Sequence, residues 1–236
     1  MIMKYPNFSE EKKLWKKGYK IVVGLDEAGR GPLAGPVVVA AVSILDTKYQ
    51  TLSFTKVSKG RQNIKIRDSK QLSSLQRETI YKTILKDNRL QWGIGKVSEK
   101  VIDKINILEA TKLAMEKAIV NLNRKLKSES YPFSHDRRKM GITDFLILDG
   151  NFKLNINLAQ KSIIKGDEKV FSCALASILA KVTRDRIMVS YHKKYPQYRF
   201  DLHKGYGTKL HLKRIKQYGS CNIHRKTFRP LNVAKR

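Results

Sequence analysis

Apolar and β-branched runs alternate along this chain with stretches of helical periodicity. The first clear pair of runs spans roughly Tyr19 to Asp26 and Pro36 to Leu45, separated by a loop rich in glycine and proline. A parallel pair needs a crossover of about a dozen residues or more, so these two strands are expected to be antiparallel. Leu72-Ser73-Ser74-Leu75-Gln76 has capping-box spacing and predicts a helix to about Asn88, followed by a short strand at Trp92–Val97. Ser98 caps a short helix through Ile105, and Asn106 with Glu109 repeats the capping spacing. The longer helix that follows carries an apolar stripe of Ala110, Leu113, Ala114, Ala118, Ile119 and Leu122. Phe145–Leu148 reads as a minimal buried strand ending in Asp149, and Ala159 to Lys165 as another, terminated by Gly166-Asp167.

The strongest helix runs from Val170 to about Lys194, with Phe171, Leu175, Ile178, Leu179 and Val182 along one side. Its small residues Ser172, Ala174, Ala176, Ser177 and Ala180 suit close approach to a sheet. A last helix is expected near Lys209 to Tyr218. A short one is expected at the N-terminus, capped by Ser9 with Glu10 and Glu11 in its first turn. Asp46 to Ile66 has no firm period and reads as a surface excursion. Lys127 to Gly141 reads as a basic loop. Strands interleaved with helices, with an antiparallel first pair, predict an α/β fold with a mixed sheet.

Charge narrows the function. The 236 residues hold 49 Lys and Arg against 20 Asp and Glu, a formal net charge of +29, and 41% of them are hydrophobic. Such an excess points to a polyanion, nucleic acid before an acidic membrane. From Lys181 onward there are 16 Lys or Arg against Asp185 and Asp201 alone, so half the excess lies in the last quarter. No apolar run suits a signal peptide or a spanning helix. The two cysteines, Cys173 and Cys221, have no metal-site spacing and fit a reducing, cytoplasmic setting, with Cys173 a small buried group. No coiled-coil or exposed apolar repeat argues against a monomer.

Four acids share one local setting. Asp26 and Glu27 follow a β-branched run, Asp149 precedes Gly150, and Asp167 follows Gly166, each where an apparent core strand ends. Adjacent strand residues point to opposite faces, so Asp26 and Glu27 are expected at a strand end or a distortion. If the ends converge, the carboxylates form a site for hard divalent cations. Two ions about 3.5–4 Å apart suit phosphodiester hydrolysis. Strand-end aspartates are also ordinary turn residues. Gly29, Gly31 and Gly35 match neither a dinucleotide nor an ATP fingerprint, and suit close backbone approach to a ligand such as a sugar hydroxyl.

The segments VVGLDEAGRGPLAGPVVVAAV, DSKQLS, NILEAT, LILDGN, KGD, ASILAKVTRDR, HKGYGTKLHL and IHRKTF run in order from about Val22 to Phe228. With them the chain resembles bacterial ribonuclease HII, the type 2 ribonuclease H family. The resemblance implies a ribonuclease H-like mixed β-sheet flanked by helices, with a basic, mainly helical C-terminal extension. Residues 1–194 would be the catalytic domain and 195–236 a substrate-binding region packed on the same unit. It implies that Asp26, Glu27, Asp149 and Asp167 bind Mn²⁺ or Mg²⁺, and that Gly29, Arg30 and Gly31 present backbone groups to a 2′-hydroxyl. Tyr206 would complete the sugar check, and Lys70 would contact phosphate. The implied substrates are RNA–DNA hybrids and duplex DNA with embedded ribonucleotides, cut 5′ to the ribonucleotide. The basic stretches 48–65 and 127–142 are longer than a compact member needs and read as surface insertions or as extensions of the substrate footprint. Two alternatives stand beside this at the level of residues: a non-enzymatic basic nucleic-acid-binding protein, and a metal-dependent nuclease indifferent to the sugar.

Overall fold

The computed structural model describes residues 5–45, 56–59, 62–128 and 143–231. Five strands form the central sheet: β1 (Val22–Ala28), β2 (Val37–Ile44), β5 (Leu90–Val97), β6 (Phe145–Asp149) and β7 (Ala159–Ile163), in the order β5-β2-β1-β6-β7. β1 is antiparallel to β2, and β2 to β5, whereas β6 pairs parallel with both β1 and β7. The sheet is thus mixed, as the short β1–β2 connection required.

Helices cover both faces. On one face lie α2 (Ser74–Lys86) and α5 (Phe171–Lys194), packed on Ala40, Val42 and Ile44; on the other α3 (Glu99–Ser128) packs on Val37, Val39 and Ala41. Two close approaches need glycine. A Cβ at Gly24 would lie 2.6 Å from the Cys173 amide nitrogen, and one at Gly95 would lie 2.7 Å from the Ala118 amide nitrogen. The stripe expected along one side of α5 is a wider surface, because Phe171 through Ala180 are all buried.

The capping box at Ser73 and Gln76 forms, and α2 begins there. α3 merges the two expected helices but breaks at Asn106 (φ 66°), whose side chain accepts from the Leu108 and Glu109 N–H groups. The N-terminal helix α1 (Ser9–Lys16) corrects the expected cap. Phe8 precedes it, and the side chain of Asn7, not Ser9, accepts the Ser9 N–H at 2.8 Å. Glu11 is not a solvated first-turn acid either: it is buried and accepts from both Ser172 N and Ser172 Oγ. Within the segment read as an excursion without period lies a two-stranded antiparallel sheet, β3 (Lys56–Lys59) with β4 (Gln62–Lys65). The rest of that excursion, 46–55 with 60 and 61, and the basic loop over 129–142 lie outside the described residues.

After β7 come a one-turn helix α4 (Gly166–Lys169), then α5, α6 (Phe200–His203) and α7 (Lys209–Tyr218). The chain finally returns across the β1–β2 loop. Gly35 N donates to Ile223 O, Arg225 N donates to Leu33 O, and Ala34 bridges His224. Cys173 is buried, with its thiol pushed up by burial, and both cysteines are free. Among the described residues no helix is long and apolar enough to cross a membrane.

Candidate active site

Strand register brings the first two acids together. The parallel ladder pairs Val22 with Phe145 and ends with Leu25 opposite Leu148, so Asp26 and Asp149 stand one step beyond its end, on the same face. Asp167 reaches them from α4, because the Gly166 N–H donates to Asp149 Oδ1 at 2.7 Å. One carboxylate oxygen from each of Asp26, Asp149 and Asp167 lies within 4.8 Å of the others.

Glu27 stands differently from the expectation. Asp26 and Glu27 both lie inside an undistorted β1, opposite Ala40 and Val39, and therefore on opposite faces. Glu27 is not in the group of three. Its Oε1 pairs with Arg30 at 3.3 Å, while its Oε2 is buried with no hydrogen-bond partner. Asp149 still acts on it through space: the carboxyl is pushed up first by burial and, against the pull of Arg30, by Asp149.

The group is electrostatically unhappy as it stands. Burial first, then Glu27, Asp149 and Asp167, hold the Asp26 carboxyl well above the usual carboxylate range. Asp167 is pushed up to about 6 by burial, then by Asp149 and Asp68. Crowded, desolvated oxygens with an orphaned Oε2 at the rim fit hard divalent cations, which take oxygen ligands and remove this repulsion. Lys70 supplies the nearest positive charge, with Nζ 3.6 Å from Asp167 and 4.0 Å from Asp68. Its side chain is 80% exposed, so the pairing leaves its ammonium open to a ligand.

The glycine loop is held from behind. Gly29 has φ 101°, and a Cβ there would run into Arg184; at Gly31 a Cβ would meet nothing within 4 Å. Buried Arg225 donates to the carbonyls of Gly29, Arg30 and Gly35, and buried Arg184 to those of Ala34, Pro36 and Lys204. In a trans peptide the C=O and N–H point opposite ways. Fixing the Gly29 and Arg30 carbonyls inward therefore turns the Arg30 and Gly31 N–H groups outward, where neither has a partner among the described residues. Tyr206 is half-exposed beside this loop: Leu33 N donates to Gly205 O, and the Arg184 guanidinium lies 5.8 Å from the Tyr206 ring centre.

A family model described as ribonuclease HII matches residues 23–231. The chain belongs to the ribonuclease HII family. Ribonuclease HII of Syntrophus aciditrophicus (strain SB) is 43% identical over 219 residues, covering 93% of this chain and 89% of that protein. Ribonuclease HII of Acholeplasma laidlawii (strain PG-8A) is 44% identical over 229 residues, covering 97% of each. The ribonuclease H2 structure from Pyrococcus horikoshii OT3 superposes with a TM-score of 0.62 at 26% identity, over 90% of this chain and 96% of that one. As a ribonuclease HII the chain is a metal-dependent endoribonuclease, and the non-enzymatic alternative has nothing in its favour.

Sequence reasoning missed three side chains at this site. Asp68 lies in the same tripeptide as Lys70 and stands against Asp167. Arg184 and Arg225 fall in the segments ASILAKVTRDR and IHRKTF and in the basic C-terminal quarter, but no role for either is read from the sequence. Burial of an arginine against carbonyls has no local signature, so nothing in the spacing distinguishes them from solvated neighbours.

Proposed function

We propose that this ribonuclease HII cuts the RNA strand of RNA–DNA hybrids, and duplex DNA on the 5′ side of an embedded ribonucleotide. The products carry 3′-hydroxyl and 5′-phosphate ends. The observation that carries the reading is the convergence of Asp26, Asp149 and Asp167 within 4.8 Å, beside a loop whose Arg30 and Gly31 N–H groups face outward unpartnered. Asp26, Asp149, Asp167 and Glu27 would hold a pair of Mg²⁺ or Mn²⁺ ions, with Asp26 the most sensitive of the four to substitution. When bound, such ions supply an activated water and charge stabilisation at the scissile phosphate.

The chain's own groups do the rest. Lys70 meets a phosphate oxygen near Asp167. The Gly29-Arg30-Gly31 backbone meets the 2′-hydroxyl, which is donor and acceptor at once and is lacking in DNA. Tyr206 closes on the sugar from the other side. Residues 195–236 form the basic region that tracks the duplex, where phosphate contacts position and do not specify. The enzyme acts as a cytoplasmic monomer.

A duplex with one ribonucleotide tests this directly. Cleavage at its 5′ side is expected with Mg²⁺ or Mn²⁺, and none when that ribose becomes deoxyribose; equal cutting of both duplexes would mean a nuclease indifferent to the sugar. Asp26→Asn should keep duplex binding and lose nearly all cleavage. A variant that cuts at the wild-type rate would remove Asp26 from the ion site.

A further inference from the structure

Behind Tyr206 lie three buried histidines that the cleavage reaction itself does not use: His203, His211 and His224. Their hydrogen bonds fix their own directions. The Tyr206 carbonyl can only accept, so His211 Nδ1, 2.9 Å away, carries a proton and donates it. His211 Nε2 faces His224 Nε2 at 3.1 Å. His224 Nδ1 takes the Cys221 N–H at 2.9 Å, so its proton sits on Nε2 and is donated to His211. His203 is saturated in the same way, with Nε2 donating to Tyr198 O at 2.8 Å and Nδ1 accepting Gly205 N–H at 3.2 Å.

Every ring nitrogen thus has a partner of the right kind, His224 Nδ1 meeting the Cys221 thiol at 3.1 Å besides the amide, and only while all three rings are neutral. The chain runs from the Tyr206 carbonyl to His224, whose neighbour Arg225 holds the Gly29 and Arg30 carbonyls. His203 grips the intervening Gly205, which has φ 86° and whose carbonyl accepts from Leu33. The two loops that would touch the ribose are joined through these rings. We propose that His203, His211 and His224 are positioning residues that hold the Tyr206 loop in fixed relation to the Gly29–Gly31 loop, making ribose recognition depend on their neutral, bonded state. This rests on the reading of Tyr206 as a sugar contact.

A proton added to His211 or His224 would set two N–H groups against each other at the 3.1 Å contact. Burial, and for His211 the neighbouring His203 next, pull both of these histidines down to about 4. The surrounding groups agree with neutrality. Arg225 follows His224 directly, Lys204 follows His203, and Phe200, Tyr198 and Cys221 line the rings, with Asp201 the one acid acting on His203.

Two substitutions each cut one link of the chain. The amide nitrogen of Asn overlays His Nδ1 and can still donate to Tyr206 O but leaves the His224 Nε2–H without its acceptor, whereas the end of Gln overlays Nε2, keeps that acceptor and cannot reach Tyr206 O. On the single-ribonucleotide duplex, His211→Asn and His211→Gln should each lower kcat/KM about tenfold, mainly through KM, and neither should lower it further in a Tyr206→Ala background. Wild-type kcat/KM in either single variant, or losses that simply multiply with that of an impaired Tyr206→Ala, would overturn this inference alone; an unimpaired Tyr206→Ala would overturn it together with the sugar-contact reading. Nitrogen-15 NMR of the unaltered protein needs no variant to fold. It should show His211 protonated on Nδ1 and His224 on Nε2 from pH 8 to 5, and titration of either near 6.5 would overturn the proposal.

Discussion

Asp167→Asn should make the metal-free protein more stable while disabling it. The carboxyl is 4% exposed, shares a 4.8 Å circle with Asp26 and Asp149, and is pushed up to about 6. Against an unfolded value of about 3.9, that shift corresponds to about 3 kcal/mol of repulsion and desolvation at neutral pH. That figure already contains the pull of Lys70 at 3.6 Å; what offsets it is the polar amide that stays buried in the variant, about 1–2 kcal/mol. A net gain of about 1–2 kcal/mol remains, or about 2–8 °C in Tm for a chain of this size.

The sign depends on pH. A carboxyl held above its unfolded value is protonated more readily in the fold, so its contribution is fully present below about pH 4 and lost as pH rises through about 6. The melting difference between Asn variant and wild type in EDTA should therefore be near zero at pH 4 and complete by pH 7. Millimolar Mg²⁺ should raise the wild type more than the variant. A variant that melts at or below the wild type at pH 7.5 in EDTA would refute the claim that the site stores repulsion.

Other perturbations test the scaffold. Glu11→Ala should cost about 2–4 kcal/mol in urea unfolding, since it strips the Ser172 N–H and hydroxyl of their buried acceptor. Arg225→Lys, which cannot span the Gly29, Arg30 and Gly35 carbonyls, should lower kcat/KM at least about tenfold with divalent-ion binding, followed by calorimetry, unchanged. With a net charge of +29, log KM should climb steeply with log salt, and a flat dependence between about 50 and 200 mM would argue against an extensive phosphate footprint.

What could be read from the sequence follows from how local each cause is. Capping at Ser73 and Asn106, the β-branched runs of β1 and β2, and the mixed sheet all rest on neighbours within a few positions, and all were legible. Convergence of Asp26 with Asp149 was suggested by strand ends, but the reason lies in a ladder between residues more than a hundred positions apart. The alternation rule already placed Asp26 and Glu27 on opposite faces. Of the two exceptions expected, a strand end or a distortion, the regular β1–β2 register excludes the distortion, and the pair sits in the last three residues of β1. Ser9 lies inside α1 after Phe8, and its own N–H is taken by Asn7, two positions earlier and equally suited to accept. The burial of Glu11, Arg184, Arg225 and the three histidines comes from distant partners and leaves no periodic trace.

The offset between β1 and β6 works like the teeth of a gear. Deleting or inserting one residue between Val22 and Asp26, or between Phe145 and Asp149, would advance a single tooth and turn one aspartate through the sheet to the side where α3 packs. A change of length in a surface connection away from the site has no such effect on which face of the sheet these two aspartates occupy.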